Sequence, residues 1–259
     1  MLLTADIRNA HTTLALFEAP TADDALGHWR VSTERRRTSD EWAVLVRGLV
    51  RDVAATEELS GIAVAATVPA VLHEWRAMAG RHFASVPLVV VEPGTRTGLS
   101  VLTDNPREIG ADRICNAVAA AARYAGPTVV VDFGHATTYD VVTADGRYVG
   151  GVITPGIEMS LEALGQGSAQ LREVELARPR SVVAKNTVEA MQAGLVFGVA
   201  AQVEGLVARI RAALEGHEPV TVVATGHLAP LVAEECACFA EYDPLLTAHG
   251  LALVFARNA

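Results

Sequence analysis

Two segments of this 259-residue chain set a carboxylate at the end of an apolar run, follow it with a polar turn, and return to a second run. They are Asp6-Ile7-Arg8-Asn9-Ala10-His11-Thr12-Thr13 and Asp132-Phe133-Gly134-His135-Ala136-Thr137-Thr138, 126 positions apart. In such a strand–turn–strand unit the turn N–H groups bind anionic oxygens, and small residues let the backbone approach them. The Asp at each strand end stands where Mg²⁺ or its waters would lie. An Asp at a strand end is by itself usually a turn former; the pair, facing across a cleft, is what points to a polyphosphate. A third loop, Ala224-Thr225-Gly226, ends a strand and would lie against a nucleoside.

A second kind of chemistry is written into Gly110-Ala111-Asp112-Arg113. Arg113 can fork onto a carboxylate, and Asp112 can accept a hydroxyl proton during group transfer. The plainer reading is a solvated charge pair on a helix, since most surface charges do no more than that. Gly150-Gly151-Val152-Ile153-Thr154-Pro155-Gly156 runs a strand into a Gly/Pro turn, where glycine permits close approach of a ligand to the backbone. Thr187, near a helix N-terminus, either donates to an anionic or carbonyl group or simply caps the helix.

The elements that must hold these residues alternate between strand and helix. Strands are expected at Leu2–Asp6, Thr12–Phe17, His28–Thr33, Ile62–Thr67, Leu88–Val91 and Thr221–Thr225. Trp42, Leu45, Val46, Leu49, Val50 and Val53 recur at helical spacing within 40–54. Pro69 suits the first turn of a helix. Asn105-Pro106-Arg107-Glu108 has the pattern of a capped helix start, with an Ala-rich helix running on to about Tyr124; Asn186-Thr187-Val188-Glu189 repeats it. From Val188 to Leu214 apolar residues follow at three-to-four spacing, a long amphipathic helix on which Gly194 and Gly198 would admit a close neighbour. A closing helix is expected over Leu246–Phe255. The repeated Asp-turn unit, at about half the chain length, implies two similar subdomains in an α/β fold.

Composition narrows the partners. Hydrophobic residues make up 51% and the net charge is −9, which supports a real core and argues against nucleic acid as a bulk electrostatic partner. The single lysine, Lys185, against twenty arginines reflects base composition more simply than guanidinium chemistry. Cys115, Cys236 and Cys238 form no regular framework, which suggests a reducing compartment, and Cys236-Ala-Cys238 is too close for a zinc knuckle. No apolar run is read as approaching the roughly 20 residues of a membrane span. The N-terminus lacks a basic n-region. A cytoplasmic protein is expected.

Taken together, 104–113 (Asp-Asn-Pro-Arg-Glu-Ile-Gly-Ala-Asp-Arg), Gly150–Gly156, 185–192 (Lys-Asn-Thr-Val-Glu-Ala-Met-Gln) and Asp243-Pro244-Leu245-Leu246-Thr247 resemble the type III pantothenate kinases of the actin-like ATPase superfamily. The resemblance covers essentially the whole chain. It implies two RNase-H-like domains, set here at 1–115 and 116–259, facing across a cleft. It also implies a homodimer with the substrate site near the dimer interface. The reaction implied is transfer of the ATP γ-phosphate to pantothenate, the first step toward coenzyme A, with Mg²⁺ and a monovalent cation (K⁺ or NH₄⁺). By the same resemblance Asp112 is the general base, Arg113 and Thr187 hold pantothenate, and Gly110 and Gly156 shape its pocket. Asp6 serves the Mg-phosphate and Asp132 the monovalent cation, while Arg8, Asn9, Gly134, His135, Thr137 and Gly226 line the nucleotide loops.

The departures from the family pattern fall on those loops. The first turn, Asp-x-Gly-Asn-Thr in the family, has Arg8 for Gly and Ala10 for Thr. In the second, His135 replaces Thr. In the nucleoside loop, His227 replaces Gly. A Ser-Val-Val-Pro segment reads Ala66-Thr67-Val68-Pro69. Each change costs about 1–3 kcal/mol of nucleotide binding if it removes or strands a polar contact. Arg8 should fill the phosphate space or reach Asp6 or Asp132, and as a cation it can itself bind phosphate. Three functions therefore remain: a working kinase, an ATP-incompetent paralogue that binds a small acid or a protein partner, and an enzyme with another phosphoryl donor or a metal. For the last, His11, His135 and His227 near Asp6 and Asp132 are candidate ligands, though they more simply replace lost donors.

Overall fold

The computed structural model describes residues 1–166, 174–214 and 219–259. These divide into two compact units, one of residues 1–120 and 245–259 and the other of residues 121–244.

In the first unit, β1 (Leu2–Ile7), β2 (His11–Phe17) and β3 (Ala25–Ser32) form an antiparallel meander. Helix α1 (Ser39–Val50), strand β4 (Gly61–Ala66), helix α2 (Pro69–His82) and strand β5 (Leu88–Val90) follow, giving a sheet ordered β3-β2-β1-β4-β5 with β4 and β5 parallel to β1. The two-residue β6 (Ser100–Val101) and helix α3 (Ala111–Arg123) come next. Every residue of β1 is buried, as expected of a central strand covered on both faces, whereas the edge strand β3 alternates between partly buried and exposed. Thr38 and Glu41 form a reciprocal cap on α1. Trp42 of α1 meets Trp75 of α2 with ring centroids 5.3 Å apart.

The two-residue period of β1 decides what its side chains meet. Leu3, Ala5 and Ile7 join Trp42, Val46 and Trp75 in one core. Leu2 joins Cys115, Val118, Leu251 and Val254 in another, on the opposite face of the sheet. Asp6 shares the parity of Leu2 and so is directed to the layer built by α3 and the C-terminal helix.

In the second unit, β7 (Thr128–Phe133), β8 (Ala136–Val142) and β9 (Arg147–Pro155) form another antiparallel meander. Then come α4 (Ile157–Gln166), α5 (Thr187–Ala213), β10 (Thr221–Thr225), the short α6 (Ala229–Val232) and β11 (Glu241–Tyr242). Within the unit the strands run β9-β8-β7-β10-β11, the same order as in the first unit. β7 matches β1 in burial, β8 matches β2, and each meander carries a register shift one residue before its second strand ends, at Leu16/Phe17 and Val141/Val142. The expected α/β duplication of RNase-H-like units is therefore present. Val129, Val131 and Phe133 pack with Leu195, Val203 and Val207 of α5, so Asp132 falls on the other face of its sheet. Helix α7 (Leu246–Ala256) returns to the first unit, and its Phe255 ring lies where a Cβ on Gly61 would be, 2.1 Å away.

Three expectations need correction. The Asn105 segment does not begin the Ala-rich helix: Pro106–Glu108 is a single 3₁₀ turn without a side-chain cap, and α3 starts afresh at Ala111. Ile109 is extended (φ −77°, ψ 128°), which breaks the helical run and lets Gly110 set the new start. Among the described residues nothing lies within 4 Å of a Cβ built on Gly194 or Gly198, so no close neighbour within them uses these glycines. Finally, α5 is long and apolar enough by length and composition to cross a membrane. Its Leu195, Val203 and Val207 belong to the core of the second unit.

The glycine that does permit close packing is Gly250, on α7, where a Cβ would stand 1.9 Å from the Cys115 carbonyl oxygen of α3. Gly250→Ala should therefore cost about 2 kcal/mol or more by overpacking and lower the melting temperature by several degrees. Gly48→Ala, on the exposed side of α1 with nothing within 4 Å, should instead stabilise by about 0.5–1 kcal/mol. Thermal denaturation of both variants checks the contrast.

Candidate functional site

In the first unit the turn between β1 and β2 spans Arg8 to His11 and is closed by the Arg8 amide donating to the His11 carbonyl at 3.0 Å. Arg8 has an ordinary backbone conformation, because no described residue other than glycine has positive φ. The change from the family's glycine therefore brings volume and charge, not strain. The guanidinium folds back over the strand end, with Nε donating to Asp6 Oδ2 at 2.6 Å. The same Nε lies 3.9 Å from Asp112 Oδ2, and Nη2 donates to Thr247 Oγ1 at 3.1 Å. Thr247 in turn donates to Asn116 Oδ1 at 2.7 Å. Arg8 meets Asp6, one of the destinations expected for it, and also lies near Asp112, which the sequence did not suggest.

Each partner has a local reason for its place. Asp112 stands in the first turn of α3, where an acid is favoured by the helix dipole. Gly110 leaves room beside it, since a Cβ there would come within 2.5 Å of Asp112 Oδ1 and the carboxylate would have to shift. Asn116 lies one turn further along the same helical face and is fully buried. Thr247, in the first turn of α7, is also buried. Cys115 packs beneath them; burial, with Asp6 and Asp112 nearby, pushes its thiol well up, which marks it as inert.

This arrangement bears on a divalent cation at Asp6. Mg²⁺ binds oxygen at roughly 2.0–2.1 Å and demands near-octahedral order. Asp6 Oδ2 already accepts a charge-assisted hydrogen bond, and a positive group occupies the approach. With Arg8 so placed, Oδ2 is engaged, and Oδ1 is the buried oxygen of Asp6 left to meet a divalent ion.

The second unit keeps a different set together. Thr225 is opposite Asp132 in the parallel pairing of β10 and β7. The next residue, Gly226, turns with φ +91°, and a Cβ on it would meet Phe133 O at 2.6 Å and Asp132 Oδ1 at 2.7 Å. Gly156 lies as close to the β7–β8 turn: a Cβ there would fall 2.2 Å from His135 O and 2.5 Å from Gly134 O. Gly156 N also donates to His135 O at 3.1 Å. The sequence assigned Gly156 to the acid substrate, yet its contacts are with Gly134 and His135. His227 Nε2 is 3.2 Å from Glu158 Oε1, at the start of α4. Thr137 is buried on β8 and Asn9 is exposed on its turn.

Arg113 follows Asp112 on α3 and is half-buried. Thr187 is exposed as the first residue of α5, preceded by the capping Asn186, which accepts from Glu189 N at 2.9 Å. Glu189 is also held by Arg180 Nε at 2.6 Å, and that hydrogen bond with its charge lowers the Glu189 pKa. The capping reading of Thr187 therefore does not hold: Asn186 caps the helix, and Thr187 is its first residue.

Sequence reasoning missed Asn116, Thr247 and Glu158. Asn116 was open to discovery by its i, i+4 spacing from Asp112. Thr247 ends the Asp243–Thr247 segment but carried no assigned role. Glu158 gave no signal, because only folding sets α4 beside the loop that carries His227.

Comparison with known proteins gives this geometry its context. A profile of the type III pantothenate kinases matches residues 2–209. A type III pantothenate kinase of a Nocardioides species is 62% identical over 260 residues, covering 100% of this chain and 99% of that protein. One from Streptomyces griseus is 54% identical, covering 100% and 98%. Among solved structures, the activator of 2-hydroxyisocaproyl-CoA dehydratase from Clostridium difficile has a TM-score of 0.57 at 14% identity, covering 99% of this chain and 94% of that one. That likeness is one of fold, the actin-like ATPase fold. With a profile match over most of its length and relatives above half identity across all of it, the chain belongs to the type III pantothenate kinase family.

Proposed function

We propose that this chain transfers the γ-phosphoryl group of ATP to the primary hydroxyl of pantothenate, giving 4′-phosphopantothenate and ADP, and that it works as a homodimer. Family membership supports this reading. The observation that carries it is the setting of Asp112. Its carboxylate projects from a helix start shaped by Gly110, beside the Asp6 turn and directly before Arg113.

In this reading Asp112 accepts the proton of the attacking hydroxyl as the new O–P bond forms and the bond to the β-phosphate oxygen breaks. Arg113 forks onto the pantothenate carboxylate, and the Thr187 hydroxyl donates to the same substrate. Asn9, Gly134, His135, Thr137 and Gly226 are assigned to the nucleotide. Gly156, given its contacts, shapes the turn of Gly134 and His135, with any role toward pantothenate being indirect. Membership also implies a divalent ion with ATP, which when bound would supply positive charge to the phosphate oxygens. For a monovalent cation the resemblance points to Asp132, whose Oδ1 lies beside the Gly226 turn. Such an ion, when bound, would supply fixed positive charge to an anionic donor.

A second reading, an ATP-incompetent paralogue that binds a small acid, is favoured by one observation: Arg8 already engages both Asp6 and Asp112. Measuring ADP release at high ATP and potassium, with and without pantothenate, separates the two. Pantothenate-dependent turnover is expected; its absence, with pantothenate still bound, would establish the second reading. Asp112→Asn is expected to lower turnover by about 10²-fold or more while calorimetry finds pantothenate affinity within about threefold. Turnover equal to wild type would remove Asp112 as the base.

A further inference from the structure

Two thiols of the second unit take no part in the proposed reaction. Cys236 and Cys238 lie on the segment that joins the short α6 to β11, and both are free. Ala237 between them is exposed while each cysteine is half-buried, so both side chains turn to the inner side of the segment. There they pack with Phe239 against the core of the second unit. The chain bends at Ala237 and Cys238. Residues two apart stand at most about 7 Å from Cα to Cα in an extended chain. A bend shortens that into the roughly 4.4–6.8 Å that a disulfide spans.

The segment is pinned on both sides of the pair. Cys236 N donates to Ala233 O at 3.1 Å, and Ala237 N donates to Glu204 Oε1 at 2.8 Å. Arg211 Nη2 donates to Cys238 O at 3.3 Å, and Ala240 N donates to Val222 O at 2.9 Å. Little backbone freedom therefore remains to be lost when the sulfurs are joined. The two thiols are not equivalent. Cys236 Sγ lies within donating reach of two carbonyl oxygens, Val232 O at 3.5 Å and Ala200 O at 3.8 Å. Its hydrogen bond to Cys238 holds the Cys238 thiol below its ordinary value, and the same contact, with burial, holds Cys236 above its own. Arg211 favours charge on Cys238, while Glu204 opposes it on either sulfur. Since the thiolate is the nucleophile in exchange, Cys238 is the attacking thiol and Cys236 the resolving one.

We infer that Cys236 and Cys238 form a reversible dithiol–disulfide site that exchanges with low-molecular-weight disulfides. The Cys238 thiolate attacks one sulfur of such a disulfide; the S–S bond breaks, one small thiolate leaves, and a mixed disulfide forms. Cys236 then gives up its proton and attacks the Cys238 sulfur, expelling the second small thiolate. The two cysteines lose two electrons in all, and the small disulfide is reduced to two thiols that take up the two protons. A partly exposed disulfide of this kind belongs to the labile, regulatory class. Nothing in this chemistry depends on phosphoryl transfer.

The test is incubation of the full-length protein with glutathione disulfide, followed by alkylation of the remaining thiols in denaturant and peptide mass mapping. In wild type, the peptide holding Cys236 and Cys238 is expected to be lighter by two hydrogens than its reduced form and to carry neither alkyl group nor glutathione. Buried Cys115 is expected to remain alkylated, and dithiothreitol to restore both thiols. Cys236→Ser is expected to stop with glutathione on Cys238, and Cys238→Ser to react about tenfold or more slowly. Thermal denaturation first shows each variant to be folded, and the wild-type masses decide on their own should a variant not fold. A wild-type pair that stays alkylated, a wild-type pair that carries glutathione without closing, or a Cys238→Ser variant that reacts as fast as wild type would each overturn the proposal.

Discussion

The contact on which the first unit's chemistry depends is the ion pair of Asp6 and Arg8. It follows from three constraints. β1 is covered on both faces, so its alternating side chains are divided between two cores, and Asp6 is turned toward α3 and α7. An ionised carboxylate in that position is costly unless paired. The nearest cation in the chain is two residues on, and the turn from Arg8 to His11 lets it fold back. Thr247 and Asn116 then fix the far side of the guanidinium. Those two residues come from α7 and α3, whose close packing at Gly250 and Cys115 aligns them.

The duplicated halves differ at the corresponding carboxylate. Both sheets have the same strand order, and both place an Asp near the end of the central strand. In the second unit Asp132 is flanked by the end of β10, where Gly226 leaves the strand with positive φ and packs its backbone against Asp132 and Phe133. In the first unit the corresponding pairing sets Ala65 beside Asp6 and Ala66 beside Ile7, and Thr67 closes the strand end, its amide donating to Ile7 O at 2.9 Å. One half thus sets a glycine turn beside its carboxylate, and the other an arginine.

Much of the fold was legible because it rests on periodicity and local punctuation. The strands of the first meander, the Pro69 helix start and the Asn186 cap are local signals, and the structure bears them out within a residue or a few. The Asn105 segment failed for a local reason too: its capping pattern was right in composition, but the extended Ile109 breaks the run before the helix begins. Gly194 and Gly198 meet no neighbour among the described residues, because a glycine pattern on a helix does not say which face meets one. At the site, the strand-end carboxylates and the Gly110–Arg113 segment carried their own signals. The anchoring of Arg8 by Thr247 did not, since those residues are 239 positions apart and only the return of the C-terminal helix joins them.

That asymmetry explains why a phosphate turn could change so far while the rest of the site did not. Asp112 is held by interactions that owe nothing to a nucleotide: a helix N-terminus that favours an acid, a glycine that leaves it room, and a buried Asn116 one turn along. Arg113 is fixed by its position on the same helix. The residue at position 8 can therefore vary without disturbing the fold, because its backbone conformation does not require glycine. The 3.9 Å approach of Arg8 to Asp112 is where the two parts meet.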